Sequence, residues 1–573
     1  MKRPPLGRLG VLLVALVVGF AGIVVRLSFL QLRDAKAYED MAMRQRLRTL
    51  VLPAGRGAIL DRDGRELAMS LDAVDVYADP SLVRYPAPAA ERVAPVLGLD
   101  AADVRAAMSR PGSTFVYLAR QVDTEVADRV RALDIRGIGF LEDTKRYYPN
   151  GALAPQVLGF VGVDGLGLQG LELQYQDQLA GRAGRRVMEI DPEGRLIPQG
   201  VNSDLPPVPG EDVVTTIDRQ IQHRAQLALA DAVRRNKARG GTVIVMDPHT
   251  GDVLAMATYP WFDPAHFSSA PQARLQNPAI VSVYEPGSVN KVITASAAIE
   301  EGVTTLDDRE GVPDHIWIRP NVFHDAHSHP IETMTIADVI AQSSNVGTIK
   351  LALELGDVRM AQYLARFGLG QTTGVGFPGE ADGILPEVAK WTSASMGTIP
   401  VGQGVAVTPL QMASVYAAVA NGGMWIQPRL VRGFVDGAGD FHPAPAAATR
   451  RAVSPRTARI VTRLLAYAVD AGTGTRAQIP GYWVAGKTGT AQIPNPEGGY
   501  TNQYVASFIG FAPASDPQLL VAAIIDQPAS EVRFGALAAA PLFREVGRFA
   551  LARLRIAPAP RPPIPPHAQG GEG

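Results

Sequence analysis

The chain has 573 residues, is 46% hydrophobic and 19% charged, and carries a formal net charge of −1. That length supports two or three domains with sizeable cores, and the near-neutral balance lacks the basic stripe of a nucleic-acid binder. There is no cysteine, which excludes disulfide frameworks, thiolate metal sites and cysteine nucleophiles and suits an oxidising compartment.

Lys2, Arg3 and Arg8 precede an uncharged apolar run, L-G-V-L-L-V-A-L-V-V-G-F-A-G-I-V-V, from Leu9 to Val25. The run is longer than the apolar part of a secretory signal, and R-L-S-F-L-Q-L-R follows it instead of a small-residue cleavage site. It predicts an uncleaved transmembrane helix of about 20 residues, placed at 9–30. The basic residues before it put residues 1–8 in the cytoplasm. After the span, Asp34, Glu39 and Asp40 dilute Arg33, and Arg26 can snorkel to the far interface. Everything beyond is expected outside the membrane.

Next, G-R-G-A-I-L-D-R-D-G-R-E-L-A places an Asp63-Gly64 turn between two short strands. Residues 72–150 mix short strands and helices. In G-L-G-L-Q-G-L-E-L-Q-Y-Q-D-Q-L-A-G, Leu171, Tyr175 and Leu179 recur at helical spacing, and Gly181 can end that helix. Residues 198–212, rich in Pro, Gly and Asp, read as a linker. T-T-I-D-R-Q-I-Q then opens a long amphipathic helix expected to stop at Gly240-Gly241. One hairpin is expected in T-V-I-V-M-D-P-H-T-G-D-V-L-A-M-A-T and another in A-S-F-I-G-F-A-P-A-S-D-P-Q-L-L-V-A-A-I-I-D, with mostly helix between them. Strands from both ends of a domain imply an antiparallel sheet packed against helices, an α+β arrangement. A Pro/Gly-rich tail, 556–573, is expected to be disordered.

The chemistry concentrates in three fragments. In Y-E-P-G-S-V-N-K, Pro-Gly breaks structure and the apolar run after it reads as a buried helix ending near Gly302. Ser288 then sits at a helix N-terminus with Lys291 one turn on, on the same face. A serine hydroxyl needs a base to become a nucleophile, and a lysine can serve if burial or neighbouring cations lower its pKa. S-x-x-K alone is not specific. S-S-N at Ser343–Asn345 and K-T-G-T at Lys487–Thr490 follow in order, and the three together match, with Ser344 in place of the Asp of S-D-N, the motif set of penicillin-binding proteins and class A β-lactamases.

On these motifs the chain resembles the class B penicillin-binding proteins over almost its whole length. G-R-G-A-I-L-D-R-D-G-R-E-L-A and G-L-Q-G-L-E resemble that family's N-terminal pedestal, and V-G-Q-G-V-A-V-T-P-L-Q-M-A its late helix. Within the family it is most similar to the septal, division-type enzymes, particularly actinobacterial ones. Val289 departs from the common S-T-x-K at a position that is not catalytic. The resemblance implies a multidomain α+β protein. Its parts are a transmembrane helix, an elongated mixed α/β pedestal (31–205), and a β-lactamase-like serine transpeptidase domain (210–555) with an antiparallel sheet packed by helices.

The resemblance also implies the roles. Ser288 attacks the penultimate D-Ala carbonyl of a donor stem peptide, and Lys291 is the base. Ser343 relays protons with help from Lys487, and Asn345 bonds the donor backbone. Lys487 and Thr488 take the terminal carboxylate. The backbone N–H groups of Ser288 and Thr490 form an oxyanion hole. Gly489, without a Cβ, lets the substrate backbone approach. No metal or organic cofactor is implied. Implied partners are peptidoglycan stem peptides, β-lactams, the membrane, divisome proteins, and a polytopic SEDS glycosyltransferase: FtsW in division, RodA if the enzyme serves elongation. No nucleic acid is among them. Deleting residues 45–200 is expected to spare chemistry on a small thioester and disrupt partner binding.

Plainer readings apply elsewhere. His315, His324, His327 and His329 fit no tight zinc spacing and read as a solvated or hydrogen-bonded loop. Glu285 is expected in a salt bridge, Glu172 at a domain interface, and Asp61, Arg62 and Asp63 in a turn and an interdomain contact. Two other functions compete. A β-lactamase is expected to carry S-D-N and E-x-x-L-N, which this chain lacks, and a β-lactam sensor several spans. An inactive division scaffold does not need every motif residue.

Overall fold

The computed structural model describes residues 6–33, 36, 41, 43, 46–190, 197–200 and 202–559. Lys2, Arg3, Asp34, Glu39, Asp40 and most of the expected tail lie outside them. The chain divides into two compact units, Met1–Gly55 with Gly181–Pro209, and Arg56–Ala180 with Gly210–Gly573.

The first unit contains a helix over Leu6–Ser28, continued by a π-turn at Phe29–Arg33. Leu9–Leu32 has a mean hydropathy of 2.5 and is long and apolar enough to cross a membrane. Its exposed residues include Leu12, Val18, Phe20 and Val25, so it has no polar face to turn to water. The same unit holds an antiparallel sheet of Leu47–Leu52, Gly184–Glu189 and Ser203–Leu205. The last strand falls inside the stretch expected to be a linker.

The second unit carries two large sheets. One has seven strands and mixes segments from both halves of the sequence. Ile59–Leu60 pairs in parallel with Val213–Val214, and Glu66–Ala78 pairs with Val116–Asp123 and Ile138–Tyr147. The Asp63-Gly64 turn forms as expected, with Gly64 at φ +81°, but the strand after it is 13 residues long. The other sheet is antiparallel throughout. Its strands are β1 (Gly240–Met246), β2 (Val253–Tyr259), β3 (Ala485–Pro494), β4 (Tyr500–Ala512) and β5 (Leu519–Asp526), in the order β2-β1-β5-β4-β3. Both expected hairpins lie in it, and β3 is an edge.

Three local expectations change. The helix after the Asp218 cap ends at Arg235, before Gly240-Gly241. The chain turns through Lys237 at φ +48°, and the glycines enter β1, where a Cβ on either would stand 2.6 Å from a carbonyl oxygen of a neighbouring strand. The Leu171–Leu179 helix breaks at Tyr175 into two short helices. The segment between the hairpins adds small two-stranded sheets to its helices, including His315–Ile318 with Asn321–His324.

The core crosses the sequence boundary near residue 210. Ile59, Leu67, Leu158 and Leu171 belong to one buried cluster with Ile244, Met256 and Ile293. Gln226 donates to Ala152 O and accepts from Ala154 N, each at 3.0 Å. Arg553 pairs with both Asp63 and Asp218 at 3.0 Å, so the expected interdomain role of the Asp61–Asp63 turn is met. Removing residues 45–200 would strip one wall of this core, and that deletion is therefore expected to unfold the protein rather than spare its chemistry.

The helix that carries Glu172 packs on the C-terminal part of the chain, with Leu171 in the shared core and Gln174 donating to Val375 O at 3.1 Å, but the carboxylate itself turns into its own module. It is fully buried between Arg56 and Arg146 of the same N-terminal module, at 2.6 Å from each. Arg56 also reaches Gln176 Oε1 and Gly165 O, and Arg146 reaches Gly57 O. Removing one partner of a buried ion pair leaves an uncompensated charge and costs about 3–5 kcal/mol. Glu172→Gln is therefore expected to destabilise the protein by that order, read as a lower denaturation midpoint; an unchanged midpoint would remove Glu172 from the stability account.

Candidate active site

Pro286-Gly287 delivers Ser288 into a 3₁₀ turn, Gly287–Asn290, that runs directly into α1 (Lys291–Glu300). Gly287 has φ +58° and donates its N–H to Gly402 O at 2.9 Å. A Cβ on Gly402 would stand 2.1 Å from Gly287 O, so only glycine permits this approach of the two backbones. Val289 O accepts from the buried Tyr416 hydroxyl at 2.9 Å, Asn290 donates to Ile399 O at 2.9 Å, and Thr294 donates to Pro400 O at 2.9 Å. These bonds pin the turn and the helix. Ser288 is half-buried, and among the described residues its hydroxyl has no hydrogen-bond partner.

Lys291 is fully buried. Its Nζ donates to Ser343 O at 2.6 Å and Asn345 Oδ1 at 2.7 Å, and lies 3.3 Å from Ser343 Oγ. Burial drives its pKa well below the usual lysine value, the charge of Lys487 lowers it further, and Asp325 opposes them. A neutral amine has two N–H donors and one lone pair. The two short bonds use both donors, which leaves the lone pair for a hydroxyl proton.

The S-S-N motif joins two helices. α2 (Ile336–Gln342) starts in a Thr335/Asp338 capping box and ends at Ser343 in the left-handed conformation, φ 64°. Serine in that region costs about 1–2 kcal/mol, and the cost turns its carbonyl and hydroxyl toward Lys291. Ser344 caps α3 (Asn345–Leu355), accepting from Gly347 N at 2.9 Å. Asn345 sits at the first position of α3, where its Nδ2 donates to His324 O at 2.9 Å.

K-T-G-T lies on the edge strand β3, in register opposite Ile509, Phe508, Ser507 and Ala506. Lys487 is buried, which lowers its pKa to about 7; its Nζ donates to Thr488 O at 3.2 Å. A Cβ on Gly489 would stand 2.3 Å from Ser507 Oγ, 3.0 Å from Val289 Cγ1 and 3.2 Å from Pro286 O. The chain's own serine turn and its neighbour strand thus require this glycine, before any substrate approaches. Thr490 Oγ1 accepts from Gly535 N at 3.1 Å.

The eight expected residues therefore fall in one place by two routes. Direct bonds join Lys291, Ser343 and Asn345, and Lys487 with Thr488. Ser288, Gly489 and Thr490 meet where the serine turn abuts β3, with no side-chain bond to the lysines. Two residues of this neighbourhood lie outside the motifs. Thr473 shares a 2.7 Å hydroxyl contact with Thr488 and donates its N–H to Ala341 O at 3.1 Å, tying the K-T-G-T strand to α2. Asp325, between two histidines, holds the S-S-N corner. Neither carries a local signal, so only the fold could point to them.

Among the described residues Glu285 forms no salt bridge: it accepts from Gly404 N at 2.9 Å and the Tyr500 hydroxyl at 3.0 Å, and burial raises its pKa. The four histidines do not converge. His315 bonds Asp314, His329 bonds Asp325 and Pro330 O, and among the described residues no three metal-ligating side chains form a metal-sized group.

Residues 241–547 match the penicillin binding protein transpeptidase domain, and residues 51–215 the penicillin-binding protein dimerisation domain. The chain belongs to the class B penicillin-binding proteins. It is 35% identical to the penicillin-binding protein PbpB of Mycolicibacterium smegmatis, covering 94% of this chain and 89% of that one. It is 31% identical to the peptidoglycan D,D-transpeptidase FtsI of Escherichia coli, covering 96% and 92%. The crystal structure of penicillin binding protein 3 from Mycobacterium tuberculosis, complexed with aztreonam, superposes with a TM-score of 0.71 at 33% identity over 89% of this chain and 98% of that one. This membership accounts for the N-terminal apolar helix as a membrane anchor.

Proposed function

We propose that this chain is a septal peptidoglycan D,D-transpeptidase that works through a Ser288 acyl-enzyme. The observation that carries the reading is Lys291: a buried, deprotonation-prone amine one turn from a half-buried serine, with both N–H groups already engaged. Ser288 Oγ attacks the penultimate D-Ala carbonyl and passes its proton to Lys291. The N–H groups of Ser288 and Thr490 face the oxyanion. Collapse breaks the peptide bond, and the leaving D-Ala amine takes its proton through Ser343. An acceptor amine then attacks the acyl-enzyme, loses a proton to the same base and releases Ser288. Asn345 orients the donor backbone, while Lys487 and Thr488 bind its carboxylate. β-Lactams enter the first half of this cycle and stop there.

In this reading the anchor helix leaves residues 1–8 in the cytoplasm and the rest outside. Helix and N-terminal module would meet a SEDS glycosyltransferase, FtsW at the septum, and other divisome proteins. The test is intact mass of the detergent-solubilised chain after brief exposure to benzylpenicillin, followed over hours. One long-lived adduct is expected. A short-lived adduct with penicillin consumed would indicate a β-lactamase, and no adduct a scaffold.

The two lysines set an expected pH profile. Lys291 must be neutral to accept a proton, so the acylation rate constant rises with pH through its depressed pKa. Lys487 must be cationic to bind the carboxylate, so the rate falls above about 7, where burial places its pKa. A bell-shaped profile results. A rate still climbing above pH 9 would overturn these assignments.

A further inference from the structure

We propose that Asp325 is a positioning residue for the acylation step, holding the S-S-N corner against Lys291, and that His329 in turn holds Asp325. The inference rests on the reading of Lys291 as the base. Asp325 lies in a loop outside all three motifs, and its side chain is only 8% exposed. Oδ1 accepts the N–H groups of Asn345 and of Val346, the latter at 3.0 Å, which are the first two residues of α3. Oδ2 accepts the Ser344 hydroxyl at 2.8 Å and His329 Nε2 at 3.1 Å. Four donors fill the acceptor positions of one carboxylate, which also sits where a helix N-terminus favours negative charge.

The consequence falls on Asn345. The residue before Asp325, His324, takes the Asn345 Nδ2 on its carbonyl, so one short loop grips Asn345 by backbone and amide together. That grip turns Oδ1 toward Lys291 and fixes one of its two donors; the Ser344 bond steadies the carbonyl of Ser343 that fixes the other. Asp325 also brings the opposing charge to Lys487 in the surroundings of Lys291.

His329 completes the arrangement. Its Nδ1 faces Pro330 O at 2.7 Å and its Nε2 faces Asp325 Oδ2 at 3.1 Å. Both partners only accept, so both ring nitrogens must carry protons, and the imidazolium is the form that satisfies them. Glu332, 3.9 Å from Nδ1, and the nearby Asp314 are the other acidic groups around it. His329 therefore offsets part of the Asp325 charge felt by Lys291.

Two variants of the full-length protein in detergent test this through the acylation rate constant for a chromogenic cephalosporin across pH. Asp325→Asn is expected to slow acylation about 10–100-fold, by analogy with the loss of the outer-shell partners that orient metal ligands. It should also move the acid limb to lower pH, because the charge favouring protonated Lys291 is gone. His329→Gln leaves Asp325 charged and removes a cation, so its acid limb should move the other way. Limbs displaced in opposite directions support the proposal. Rates within twofold of wild type, or uniformly scaled rates with unmoved limbs, overturn it. If Asp325→Asn does not fold, the direction of the His329→Gln limb decides alone. Residual acylation by Lys291→Ala that keeps the same acid limb would instead overturn the base assignment. A limb lost there but unmoved in Asp325→Asn overturns only the role of Asp325.

Discussion

Ser288→Ala is expected to gain no mass from benzylpenicillin under conditions that label the wild-type chain completely. The variant lacks the proposed attacking oxygen, and no neighbouring hydroxyl replaces it: Ser343 Oγ stands against Lys291 from the far end of α2, and Thr490 Oγ1 accepts from Gly535 N. Losing a nucleophile from a cooperative catalytic unit costs about six orders of magnitude in rate. The fold should not register the change. Among the described residues the Ser288 hydroxyl makes no hydrogen bond, and the turn is held by Gly287, Val289 and Asn290. Removing such a hydroxyl shifts stability by no more than about 0.5 kcal/mol. A covalent label at the active site of this variant would end the assignment of Ser288.

Lys291→Met should separate function from stability. It removes the proposed base while nearly preserving the volume of the side chain in a fully buried site. General-base catalysis contributes about 10²–10⁴-fold, and the lost amine also frees Ser343 O and Asn345 Oδ1, so acylation should fall toward the far end of that range. The denaturation midpoint should stay level or rise, because a buried amine whose pKa is strongly depressed is held against its own hydration. Lys291→Ala loses activity equally but leaves a cavity, and should melt lower than Lys291→Met. A marked fall in the midpoint of Lys291→Met would make this lysine structural, and near-normal acylation would demand another base.

Much of the molecule is legible in the order of its residues. The apolar run from Leu9, the two hairpins and the serine helix depend on local periodicity and turn residues, which neighbouring residues alone specify. The motif residues stand out because their identities and order are chemical requirements. Local reading fails where distant contacts decide. Gly240 and Gly241 resemble a helix stop but lie in a strand, because Tyr259 and Ile524 carbonyls press on them. Glu285 departs from the contact expected of it because its partner, Tyr500, lies far away in the chain, as Arg56 does from Glu172.

The family, the anchor, the antiparallel α+β architecture and the set of reactive side chains follow from the amino-acid order. The environment of those side chains exists only in the folded chain. Lys291 becomes suited to the proposed role of base when α1 is buried beside Lys487 and against the left-handed Ser343 corner. Asp325 gains a role when a loop with no motif is folded onto the first turn of α3. The division is physical: each residue carries its own side-chain chemistry, whereas desolvation, charge proximity and hydrogen-bond direction arise only between residues that the fold brings together.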